Sequence, residues 1–174
     1  MKINFATRQL IRSCSNGYLA TEFDPKNFAK EKIKIKDIFP YSSFTLTAFD
    51  YDLSPIIMVS DLSEHTKNLG YNNLASIMLY EEQKMYKFFP KFNLNDKKEF
   101  FYEDPMSRPR VTLIGKLRKT ESKVHKDRFL SRHSASNLYA GFEDMNFFVM
   151  DILAAHLVGG FAQVKWFSNN DLKC

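Results

Sequence analysis

Polar and apolar positions alternate over residues 43–49 (SFTLTAF), with threonine and aromatic side chains on a period of two, and this predicts a strand. A continuous apolar run follows at Ile56, Ile57, Met58 and Val59, the pattern of a strand buried on both faces. Asp50, Tyr51, Asp52 and Pro55 lie between the two runs, so together they read as a hairpin. Residues 18–21, 75–80 and 111–117 are further strands, the last with Gly115 inside it. Asn16-Gly17 reads as a turn ahead of the first. Residues 146–153 and 155–167 complete the set, with Gly159-Gly160 as a bulge or a point of close backbone approach.

Helical spacing is confined to shorter stretches. Phe5, Leu10 and Ile11 among polar neighbours predict a short helix over 5–14. Asp61 reads as an N-cap, with Glu64 in the capping-box position and Gly70 as the C-terminal stop. Leu62, Thr66 and Leu69 then fall on one face. Residues 122–140 suit a helix or helix pair, and 81–104 mix helix and loop. Residues 24–38 form a Lys-rich excursion whose KIKIK run is at most an edge strand. Many strands with a few interposed helices predict a mainly β, antiparallel barrel with peripheral helices.

The length of 174 residues suits one domain spanning 1–174. Aromatic residues make up 15%, including 17 Phe, and that ring surface must be buried in a core or a subunit interface. The net charge of +5 is spread along the chain, so no nucleic-acid partner is expected. Cys14 and Cys174 stand alone, outside any zinc-type spacing, and fit a reducing compartment. The N-terminus carries too many charges for a signal peptide, and no apolar run approaches the ~20 residues of a membrane span. The expectation is a cytoplasmic protein.

The candidate chemistry lies at residues 60–69. A helix N-terminus presents unpaired N–H groups and partial positive charge, a ready anion site. Ser60, Ser63, His65, Thr66 and Asn68 add hydroxyl, imidazole and amide donors to it. The plain alternative is that Asp61 and Ser63 only cap a surface helix. Arg108 and Arg110 flank Pro109 at the start of a strand and point to one side, a pair suited to carboxylates and phosphates. Of the histidines, His125 sits solvated in a charged helix and His133 is structural before a turn. His156 opens the last strand and is a weak haem-ligand candidate. The sequence has no P-loop, GxGxxG, GxSxG or HExxH, and no catalytic residue or metal site is assigned.

Four segments in order resemble the pyridoxamine-phosphate-oxidase-like superfamily, in its haem-oxygenase-type (HugZ-like) branch. The first is Ser60, Leu62, His65, Thr66, Asn68 and Leu69, with Asn72 and Ala75 beyond. The second runs from Asp104-Pro105 through Pro109-Arg110 to Thr112, Leu113 and Gly115. The third is Phe129, Leu130, Arg132, His133, Tyr139, Gly141, Phe142 and Asp144. The fourth is His156 to Phe161, with Trp166 after it. The resemblance implies a split barrel that dimerises, with flavin mononucleotide (FMN) bound at the interface of an oxidoreductase-like protein. Its cofactor-binding residues would be Ser60, Ser63, His65, Thr66, Asn68, Arg108 and Arg110. Two alternatives stand beside it: haem binding or degradation in the same cleft, and a non-catalytic interaction module. The chain departs from the flavin-type pattern, because residues 42–47 hold no Arg or Lys and Glu64-His65 occupies the place of an Arg-Lys pair.

Overall fold

The computed structural model describes residues 3–26, 37–80, 104–159 and 163–173. The KIKIK run, most of 81–104 and Gly160 lie outside them. In chain order the elements are α1 (Ile3–Ser13), β1 (Asn16–Glu22), β2 (Pro40–Leu46), β3 (Ala48–Phe49) and β4 (Pro55–Ser60). They continue with α2 (Glu64–Tyr71), β5 (Leu74–Tyr80), β6 (Arg110–Lys119), α3 (Lys123–Arg132), β7 (Met145–Val158), β8 (Val164–Ser168) and α4 (Asn169–Lys173). One antiparallel sheet runs β2-β1-β5-β6-β7-β4-β3, and β8 joins the free edge of β7 beyond β4.

The two faces of this sheet differ. Leu19, Ile77, Leu79, Val111, Leu113, Leu117, Met150, Ile152 and Leu157 point inward and are buried. The apolar side of α1 plugs them with Ala6, Leu10 and Ile11, at helical spacing. Strand β4 is buried on both faces, as its unbroken apolar run predicts. Ile57 and Val59 join this core, while Ile56 and Met58 enter a second cluster with Phe129, Phe147 and Val149. Phe129 of α3 is fully buried, edge-on to Phe147 at 5.7 Å between ring centroids.

Several expectations need correction. Residues 43–49 are not one strand paired with 56–59. β2 pairs along its length with β1, and only Ala48 and Phe49 pair with β4. Asn16-Gly17 is not a turn but the start of β1. A Cβ on Gly17 would meet Ile77 Cγ2 at 2.9 Å, so its bareness permits close packing against β5. Residues 145–158 form one strand with a bulge. Ile114 pairs with Ala154 but Gly115 with Ile152, leaving Leu153 as the extra residue. The bulge reverses the inside–outside alternation, so Met150 and Ile152 before it and Ala155 and Leu157 after it all face the core. The strand then ends, and Gly159 N–H donates to the Gln163 carbonyl across the return to β8.

The outward sheet face carries two rows of directly opposed residues across six strands. One is Phe44, Tyr18, Met78, Thr112, His156 and Trp166. The other is Ser42, Ala20, Ser76, Ile114, Ala154 and Ser168. Neither holds a charged side chain, and Phe44, Tyr18 and Trp166 are each at least half exposed. Among the described residues no helix is long and apolar enough to cross a membrane.

Candidate functional site

Strand β4 ends at Ser60, opposite Met145 of β7, and the chain turns sharply into α2. Ser63 N–H donates to the Ser60 carbonyl, and Asp61 N–H to the Asp144 carbonyl at 2.8 Å. The expected capping box is absent. Ser63, not Asp61, is the N-cap residue, and its side chain makes no cap bond. Glu64 reaches Lys67 instead, at 2.5 Å. Leu62 is 77% exposed rather than on a buried face with Leu69. Gly70 lies inside α2, which continues to Tyr71 because Asn72 closes it with its own N–H to the Asn68 carbonyl.

The hydroxyl protons of this turn are all directed inward. Ser60 donates to Asp144 Oδ2 at 2.5 Å and accepts from Leu62 N–H. Ser63 donates to the Ser60 carbonyl at 2.6 Å. Its proton is thereby used, so Thr66 Oγ1, 2.8 Å away, donates to Ser63 Oγ. The amides of Asp61, Leu62, Ser63, Thr66 and Lys67 are paired within the turn or to Asp144. Asn68 is buried and holds α2 to β1, donating to Thr21 Oγ1 at 3.0 Å and accepting from Asp24 N–H. The structure therefore gathers Ser60, Ser63, His65 and Thr66 at one place, and sets Asn68 to a packing task on the far side of the helix.

Beside this turn lies a cavity of about 230 Å³ between β2 and β4. Phe44, Leu46, Met58, Phe129, Tyr139 and Met145 form its apolar wall, and Ser60, Ser63 and His65 its polar end. Nε2 of His65 is buried with no hydrogen-bond partner. Burial holds the His65 pKa below its ordinary value of 6.5, against the opposing pull of Glu64. The imidazole is thus neutral at pH 7. Unfolded chain takes up a proton near pH 6.5 and folded chain only at lower pH, so stability should fall as pH drops below 6.5. Denaturant midpoints in His65→Gln should lose part of that acid-side decline; an unchanged decline would show that His65 does not cause it.

The remaining site expectations are dispersed. Arg110 pairs with Val158 and Ser60 with Met145, at opposite ends of the 14-residue β7. One protomer does not bring the two together. Arg110 Nη1 donates to the Met106 carbonyl at 3.1 Å, and Arg108 precedes β6 as the residue closing the 3-10 turn over 105–107. His156 is stacked on Trp166 with centroids 4.5 Å apart, on the outward sheet face. His133 Nε2 meets the Thr47 carbonyl at 2.9 Å, a structural role. His125 is not solvated: it bridges Thr120 Oγ1 (2.8 Å) and Asp50 Oδ2 (3.3 Å). Asp50 also pairs with Arg128 at 3.0 Å, so an acid expected only to shape a turn anchors α3 over the cavity. Asp144 was legible as part of a motif, but its bond to Ser60 was not.

The side chains of this turn offer the phosphate of FMN little. The three hydroxyls have no proton to offer it, Lys67 is paired with Glu64, and Asp144 places a carboxylate beside Ser60. They do fit an apolar ring ligand that takes a neutral nitrogen, because His65 Nε2 is unpartnered beside an apolar wall.

Comparison with solved structures shows the fold. A haem-binding protein from Mycobacterium smegmatis superposes with a TM-score of 0.75 at 21% identity, over 99% of this chain and 60% of that one. The chain thus spans about three fifths of that protein's length. A Clostridium acetobutylicum protein related to general stress protein 26, of the pyridoxine-phosphate oxidase family, gives 0.61 at 9% identity, over 97% and 96%. HutZ, the haem storage protein of Vibrio cholerae, gives 0.53 at 14% identity, over 97% and 95%. These likenesses establish the antiparallel split barrel of the pyridoxamine-phosphate-oxidase-like proteins. No sequence among the curated proteins matches. The family model described as CREG, beta-barrel matches residues 4–172, almost the whole chain, and the chain belongs to that family.

Proposed function

We propose that the chain is a cytoplasmic, homodimeric split-barrel protein that binds haem in the cleft at the Ser60–Thr66 turn, with His65 as the iron ligand. The observation that carries this reading is the neutral, buried and unpartnered Nε2 of His65 beside an apolar wall. A neutral imidazole nitrogen is a common ligand of haem iron. That two of the similar structures are named for haem supports the same reading. Bound haem supplies redox and oxygen chemistry at its iron. The residues named here hold it and shield it from water.

The dimer is supported by the uncharged outward rows. Interface cores are depleted of charge and enriched in aromatic residues; both rows lack charge, and the first carries Phe44, Tyr18 and Trp166. Phe44 belongs both to a row and to the cavity wall. At about 230 Å³ the cavity is smaller than the ~300–1,000 Å³ of typical ligand pockets, which supports a site shared with a second protomer. Arg110 and its neighbour Arg108 lie at the end of β7 away from Ser60, so in this reading they would meet the ligand from the second subunit, where guanidinium groups suit its carboxylates. Ile114→Glu puts a charge in the middle of the second row. Sedimentation equilibrium should find dimer for the parent chain and monomer for this variant. A variant that stays dimeric would move the interface elsewhere.

Parallel titrations test the ligand. Haem added to purified protein should give a saturable Soret band at micromolar concentration. FMN should show no quenching of its fluorescence over the same range. Flavin binding without haem binding would reverse the assignment.

A further inference from the structure

We infer that Asp144 sets the charge preference of the cleft: its carboxylate fills the role of an anion at the Ser60–Thr66 turn and shuts phosphate- and carboxylate-bearing ligand ends out of it. The inference rests on the proposed cleft, not on what occupies it.

The turn has the parts of an anion site, three hydroxyls and the start of a helix, yet its hydroxyl protons are already taken, and only the Glu64 and His65 N–H groups at the start of α2 stay open. Asp144 takes the first of these hydroxyl protons. Its Oδ2 receives the Ser60 proton, and its main-chain carbonyl receives the Asp61 N–H at 2.8 Å and Asn146 Nδ2 at 3.1 Å. With the Ser60 proton committed, its oxygen turns to accept from Leu62 N–H. Ser63 and Thr66 then bond in sequence toward the Ser60 carbonyl. What the three hydroxyls show to the cavity is lone pairs. No Lys or Arg side chain pairs with the Asp144 carboxylate among the described residues. Its negative charge is therefore not cancelled locally, and at short range inside a partly desolvated cleft it repels a second anion. Ligand ends suited to this turn are apolar, or carry N–H or cationic donors.

Asp144→Asn tests this with the fold retained, because the amide oxygen still accepts from Ser60 while the charge is gone. Inorganic phosphate and FMN are the probes, read by isothermal titration calorimetry beside a thermal melt. The parent chain should bind neither, and Asp144→Asn should gain at least about tenfold in affinity for phosphate. Ser60→Ala, which keeps the carboxylate and removes a hydroxyl, should gain nothing. If a folded Asp144→Asn binds phosphate no better than the parent chain, the inference fails. It fails equally if Ser60→Ala gains as much, since loosening of the turn then explains the effect. Absence of a Soret band in the haem titration would overturn the proposed ligand and leave this result standing.

Discussion

Gly115→Ala should destabilise the protein by about 3 kcal/mol, the upper end of what overpacking costs. In a chain of this size that lowers the melting temperature by about 10 °C. The reason is backbone, not side chain. A Cβ on Gly115 would lie 2.3 Å from the Asp151 carbonyl oxygen and 2.9 Å from Met150 Cγ. Methionine can swing away, but the Asp151 carbonyl belongs to the bulged stretch of β7 and cannot move without tearing the pairing with β6. That pairing spans the centre of the sheet and keeps both halves of β7 facing the core. Gly70 supplies the contrast. It lies within α2, and a Cβ there would meet nothing within 4 Å. Gly70→Ala should therefore stabilise by about 0.5 kcal/mol through helix propensity. Thermal melts of both variants separate the two cases. A Gly115→Ala protein that melts with the parent would show that the bulge is not held by this contact.

The same two glycines show what sequence pattern can and cannot convey. Each reads as punctuation, one inside a strand and one at a helix end, yet their roles depend on what stands opposite. For Gly115 that is a strand distant in sequence; for Gly70 it is open space. Local period was informative where one face of an element decided its burial. The helix at the N-terminus and the strands beginning near residues 18, 75 and 111 follow from it, as does the two-sided burial of Ile56 to Val59. The hairpin expected between residues 43–49 and 56–59 shrinks to two paired residues because β1 competes for β2, a long-range choice invisible to spacing. One continuous β7 was hidden by its bulge, which shifts the alternation at Leu153.

The site divides along similar lines. Its position at Ser60, Ser63, His65 and Thr66 was legible from residue types at a strand-to-helix turn. Its polarity was not. Which way the hydroxyl protons point is decided by Asp144, 84 positions from Ser60. Asn68 has the residue type of a ligand donor, and nothing local reveals that Thr21 and Asp24 already occupy its amide. His65 changed its meaning most. As a cation it would assist an anion, but burial makes it a neutral base with a free nitrogen.

That free nitrogen is the centre of the account, and its removal has the largest functional effect expected. His65→Ala takes away the proposed iron ligand while leaving the apolar wall of Phe44, Met58, Phe129 and Met145 in place. His156→Ala removes a histidine that stacks on Trp166 outside the cavity. The decisive measurement is the Soret spectrum of the two variants under haem titration. The account predicts that His156→Ala retains the band of the parent chain, and that His65→Ala loses it or binds at least about a hundredfold more weakly, a difference near 2.7 kcal/mol. A normal Soret band in His65→Ala, with loss of the band in His156→Ala, would contradict it.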